Sequence, residues 1–218
     1  MTFSPKTLGL AMIAAFVASA LLASAAHAEE KTPTFTGGVG LQRETGSQVE
    51  QHEITVNAGT IKCTEANLLD KSGNGGMMLL MEPTYVGCTL GGAAATVKMN
   101  GCEYTFEPIK TKEEDKYTGR MGIVCKEGTG PIEISKTGCL ITIEGQINLE
   151  TVELVNNTKA EPVKDETWRT EIKKAKYMQT GALCNGGSGI FENLTYNGST
   201  TVKGETNGGE PVDLWIGD

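Results

Sequence analysis

Histidine is almost missing from this sequence. Only His27 and His52 occur among 218 residues. A nucleophile activated by a neighbouring base therefore has little to draw on. No G-x-S-x-G elbow is present, and no S-x-x-K pair occurs beyond residue 28. His52 sits in a polar stretch and reads as an exposed polar side chain. No C-x-x-C pair occurs, so the close ligand pairs that zinc sites use are lacking. The D-x-[DN]-x-[DN]-G calcium loop is absent as well. The glycine run "NGGSG" (185–189) has no following lysine to reach a phosphate. Aromatic residues make up only 6%, which limits any stacking surface. A basic stripe is also missing, which argues against nucleic acid or an anionic membrane as a partner. No metal or other cofactor is expected.

Long apolar runs are equally scarce. The single one, "TLGLAMIAAFVASALL" (7–22), follows Lys6 and precedes Ala26-His27-Ala28. A positive start, an apolar middle and small residues at −3 and −1 describe a secretory signal peptide, with cleavage between Ala28 and Glu29. Residues 1–28 are thus expected to leave, and no membrane span is expected in the processed chain. Losing Lys6 leaves 18 basic against 27 acidic groups, a net charge of −9. Such acidity serves solubility. The expected organisation is a polar N-terminal arm or edge strand over 29–52, then one domain over 53–218.

What is abundant is glycine, with 28 residues, and alternating short strands between the turns. The strands read as "EITVNAGTIKC" (53–63), "GMMLLMEPTYVGC" (76–88), "ATVKMNGCEYTFE" (95–107), "GRMGIVC" (119–125) and "PIEISKTGCLITIE" (131–144). "INLETVELV" (147–155), "GIFENLTYNGSTTVKGE" (189–205) and "VDLWIG" (212–217) complete them. This pattern predicts an all-β sandwich or barrel of antiparallel strands. "KDETWRTEIKKAKYMQTG" (164–181) fits a helix, with Trp168, Ile172 and Ala175 on one face. It also fits a strand, with Trp168, Thr170 and Ile172 on one side, and the β surroundings favour the strand.

All six cysteines, Cys63, Cys88, Cys102, Cys125, Cys139 and Cys184, lie beyond the leader and imply three disulfides. The frame G-C-x-x-T-x-E occurs twice, at 101–107 and 138–144, and each copy's cysteine follows another by 14 positions. That symmetry points to a duplicated β-unit closed by Cys88–Cys102 and Cys125–Cys139, leaving Cys63–Cys184. The rival is a hairpin with its tip at 110–116, which sets Cys102 opposite Cys125.

"PTYVGCTLGGAAATVKMNGCEYTF" (83–106) resembles a segment of secreted proteins that occur in multiple copies in soil actinobacteria and have no established activity. The likeness continues in "CLITI", "GALCNGG", "YNGSTTV" and "VDLWIG" and spans roughly residues 58–217. It implies an all-β fold with paired cysteines, and a strand around Trp168. No activity comes with it.

Several constellations deserve weighing for chemistry. Glu107 and Glu144 occupy equivalent repeat positions, but glycoside hydrolysis needs two carboxyls about 5 to 9 Å apart, one with a raised pKa. Met77 and Met81 would lie about 13 Å apart along one strand face, too far to chelate a soft ion, and read as core. The sequons at Asn156, Asn193 and Asn197 read as turn chemistry. Trp168, Tyr177, Tyr196 and Trp215 are the candidate binding surface. The function expected is non-enzymatic: binding of a cell-wall or environmental polysaccharide, or a surface-structural role. The alternatives are a small hydrolase using carboxylates and a self-associating adhesive protein.

Overall fold

The computed structural model describes residues 31–70, 75–149, 151–159 and 163–217. The expected signal peptide and its cleavage site fall outside them. The strands in chain order begin with β1 (Thr34–Gly37), β2 (Arg43–Val56), β3 (Gly59–Lys62), β4 (Glu65–Asp70), β5 (Leu79–Val86) and β6 (Thr89–Leu90). Next come β7 (Ala93–Ala94), β8 (Thr96–Lys98), β9 (Cys102–Glu113), β10 (Lys116–Cys125), β11 (Ile132–Lys136) and β12 (Cys139–Ile143). The last are β13 (Thr151–Asn157), β14 (Asp165–Thr180), β15 (Gly189–Glu205), β16 (Pro211–Val212) and β17 (Leu214–Gly217). Every pairing is antiparallel, and the all-β expectation holds.

The ladders run β2–β4–β5–β9–β10–β13–β14–β15 and then back to β2, so eight strands close into a barrel. Closure removes the free edges that an open sheet would expose. The long strands β2, β14 and β15 continue past this ring. There β2 pairs with β3, β3 with β6 and β6 with β7, while β14 pairs with β12, β12 with β11 and β11 with β8. Only Ala95 separates β7 from β8, so this second set of ladders also comes round on itself.

Alternation decides which side chains enter. In β14 Glu166, Trp168, Thr170 and Ile172 point inward, then Ala175, Tyr177 and Gln179. Lys173 and Lys174 are both exposed, and the register shifts there. This bulge changes the inward parity where β14 leaves β13 for β12. Trp168 anchors the core between Phe106 (4.5 Å) and Phe35 (5.5 Å). The first and last strands, β1 and β17, pair as a two-stranded antiparallel ribbon that covers this end of the barrel. Asn156 holds it like an extra rung, donating Nδ2–H to the Ile216 carbonyl (2.8 Å) and accepting the Ile216 N–H at Oδ1 (2.8 Å).

Several expectations need correcting. Residues 43–52 are neither arm nor edge, because β2 pairs with β15 on one side and with β4 and β3 on the other. Their inward positions carry Glu44, Gly46 and His52 instead of apolar residues, so hydropathy hid the strand. The stretch 53–63 is a hairpin that folds back at Asn57-Ala58. The disulfides pair in sequence as Cys63–Cys88, Cys102–Cys125 and Cys139–Cys184. Neither Cys88–Cys102 nor Cys125–Cys139 forms, and Cys63–Cys184 falls with them. Cys102 faces Cys125 across the β9–β10 hairpin, the rival arrangement. Cys63 and Cys88 extend the β3–β6 ladder by one rung. The two phrase copies do share a tight turn before the cysteine, with Gly101 (φ 79°) and Gly138 (φ 68°) in the left-handed region. The strands they open then find different neighbours. Asn156, Asn193 and Asn197 lie in β13 and β15 and not in turns.

Candidate functional site

The expected aromatic surface is not assembled. Trp168, Tyr177 and Tyr196 are buried at 1%, 2% and 7% exposure, because each sits at an inward position of β14 or β15. Tyr177 stacks on Phe191 (5.4 Å) and accepts the Asn57 N–H at 2.8 Å. Only Trp215 reaches the outside, half-buried on β17, with the Lys164 ammonium 5.6 Å from its ring. Glu107 and Glu144 are not brought together either. Glu107 pairs with Arg120 (3.0 Å) on the outer face of β9, and Glu144 follows β12 beside a different groove. Met81 is core, as expected, whereas Met77 precedes β5 and is exposed.

His52 reverses its expected place. It is buried inside the barrel, and burial holds its pKa below the ordinary histidine value. Its Nδ1 meets the Tyr196 hydroxyl at 2.9 Å. Its Nε2 meets the Ser199 carbonyl at 3.3 Å and the Thr200 hydroxyl at 3.1 Å. A carbonyl only accepts, so a neutral ring carries its proton on Nε2 and Tyr196 donates to Nδ1. Tyr196 in turn bonds to Tyr85, whose hydroxyl lies 2.9 Å from that of Tyr104. Burial pushes the Tyr104 phenol up to about 12, and those of Tyr85 and Tyr196 upward too. These groups hold their protons at neutral pH and serve as a buried polar brace.

A second interior group escaped the sequence reading. Glu44 of β2 and Asp70 of β4 are ladder partners, both pointing inward and buried. Glu166 of β14 joins them at the same end, with Oε2 accepting the Trp168 indole N–H at 2.5 Å. Oε1 of Glu166 has no hydrogen-bond partner among the described residues, and Glu44 lies against Asp70 and the Gly75 backbone. Burial first, then the charge of Asp70, pushes Glu44 up to about 7. Burial, with a smaller contribution from Glu44, pushes Glu166 up to about 8. Among the described residues no cluster of three or more His, Cys, Asp or Glu is arranged to hold a metal ion. The signal for Glu166 lay in its parity, since it stands two residues before Trp168 on the same strand face.

The outer wall carries a concavity of about 430 Å³. Its floor is the cross-strand pair Leu80–Thr105 from β5 and β9, and Gly122 of β10 lies buried beside it under the Gln146–Ile147 backbone. Gly122 has no side chain, and a Cβ there would meet the Thr105 hydroxyl at 2.7 Å. Met78, Val124 and Ile147 form the walls, and the Glu107–Arg120 pair closes one side. Met77 (68%) and Ile147 (74%) stand out into solvent around it. No protein-family model matches the chain, and no curated protein or solved structure is significantly similar to it.

Proposed function

We propose that the protein is an exported β-barrel, freed of residues 1–28 by cleavage after Ala28, that acts by holding a partner on its outer wall. The groove lined by Met78, Leu80, Val124 and Ile147 is the observation that carries this reading. Exposed apolar side chains gathered around a concavity mark contact sites more often than chance scatter does. Three disulfides fit an oxidising, extracellular setting. The histidine, tyrosine and glutamate side chains whose pKa burial shifts are sealed inside the barrel, out of reach of a substrate.

The chemistry of the walls selects the partner. Polysaccharide recognition relies on exposed rings, and most of the rings here are spent on the core. Methionine and aliphatic walls instead suit an apolar side chain of a protein at the cell surface, because thioethers adapt to irregular shapes. The test is retention of oxidised, leader-free protein on bacterial cell envelopes, with purified polysaccharides alongside. Saturable retention on envelopes that Ile147→Asp weakens at least roughly tenfold would support the reading, a change of about 1.4 kcal/mol. Equal retention of both proteins, or retention on polysaccharide alone, would overturn it.

A further inference from the structure

We propose that the barrel end containing Glu44, Asp70 and Glu166 is a proton-controlled seat for the β1–β17 ribbon, closed while Glu44 and Glu166 hold protons and loosened when they ionise. The case rests first on placement. Glu44 and Asp70 face each other from adjacent strands, and Glu166 comes from β14 across the intervening β15. Three carboxyls inside a barrel cannot all be charged without a large desolvation and repulsion penalty.

Both glutamates are also linked to the ribbon within one or two contacts. Glu44 lies beside the Gly75 backbone. Gly76, next in the chain, exchanges both backbone hydrogen bonds with Phe35 of β1, at 2.8 Å each. Glu166 binds the Trp168 indole, and that ring packs on Phe35. Its ladder partner Asn156 clamps Ile216 of β17. A carboxylate that swells its hydration at this place therefore pushes on the residues that seat the ribbon.

The charged groups around the seat do not offset ionisation. Asp70 faces Glu44 from β4, and Asp165 lies next to Glu166 on β14; both are acidic. β13 contributes Asn156, β15 contributes Val202 and Gly204, and the ribbon contributes Phe35, Leu214 and Ile216. Arg43 is committed to Glu205 on the outer face (2.6 Å). Among the described residues no cation contributes to the surroundings of either glutamate. The upward shifts of both glutamates put the transition near neutrality.

The test is hydrogen exchange of the full oxidised protein, corrected for intrinsic rates, in wild type, Glu44→Gln and Glu166→Gln. Protection of peptides covering 34–41 and 211–217 should fall at least roughly tenfold between about pH 6 and pH 9, as expected for ionising a coupled group. Strands β9 and β10 should stay better protected than the ribbon at every pH. The glutamines, neutral and close in shape, should flatten the ribbon's dependence, and flattening in either variant supports the proposal. Ribbon protection that ignores pH would overturn it. So would the same dependence in both variants, or β9 and β10 exchanging as fast as the ribbon.

Discussion

Trp168 illustrates how one residue fixes both packing and polarity. Its ring fills the space between Phe35 and Phe106, and its indole N–H donates to Glu166. Trp168→Phe keeps much of the ring but leaves both Glu166 oxygens without a donor. An orphaned buried acceptor costs about 1 to 3 kcal/mol. Urea unfolding should therefore show a loss of about 2 kcal/mol. Combining the change with Glu166→Leu should recover part of it, since removing both partners is cheaper than removing one. A simple sum of the two single losses would contradict this account. The tryptophan's inward direction was legible from its alternation with Thr170 and Ile172. Its consequence for function was not, because the same alternation that made it a strand residue also buried it. His52 was misplaced for a related reason. A polar run looks like surface until the partners that satisfy it, here Tyr196, Ser199 and Thr200, are brought in from 144 or more positions away.

At the level of elements, β14 shows what a pattern can and cannot reveal. The strand reading of 164–181 was correct, and the inward set up to Ile172 followed from it. The bulge at Lys173–Lys174 was invisible, because two successive lysines are equally compatible with a loop or a helix face. Deleting Lys174 tests its importance. Without the extra residue, Ala175, Tyr177 and Gln179 would rotate to the outer face and the residues between them would turn in. The variant should fail to give a cooperative unfolding transition, whereas Lys174→Ala should unfold within about 0.5 kcal/mol of the parent, as exposed substitutions do. A cooperative deletion variant would show that the bulge is dispensable. The cysteines teach the complementary lesson. Spacing of 14 residues is a fact about the chain, but a bridge depends on which strands lie side by side. Cys102 meets Cys125 because β9 and β10 form a hairpin. The repeated phrase encodes the turn before each strand and carries no information about the strand's neighbour.

For the molecule as a whole, buried ionisable groups set the pH at which it is most stable. Glu44 and Glu166 have folded values of about 7 and about 8 against an ordinary 4.5. Between those limits the folded chain holds two protons that the unfolded chain has released, so stability falls as pH rises and the loss is complete above the folded values. His52 acts in the opposite direction. Its folded value is lowered, so the unfolded chain binds a proton below about pH 6.5 that the buried ring refuses, and stability falls on acidification. Two carboxyls outweigh one imidazole. From about pH 5 to pH 6.5 the protons that the folded chain keeps on the glutamates outnumber the one that the imidazole refuses, so stability still falls as pH rises. Below about pH 4.5 the unfolded chain takes up protons on the glutamates as well, and Glu153, held low by Arg169, adds to the acid loss. The stability maximum should therefore lie near pH 5, on the acid side of the usual range. The net charge of −8 works in the same direction, because self-repulsion grows as the remaining acids ionise. Urea midpoints at pH 5, 7 and 9 should fall in that order, and the Glu44→Gln, Glu166→Gln double variant should reduce the drop between 5 and 9. Added salt should relieve only the part that survives in the double variant, since buried charges are weakly screened. Midpoints that rise toward pH 9 would mean that the interior acids are already ionised in the folded barrel.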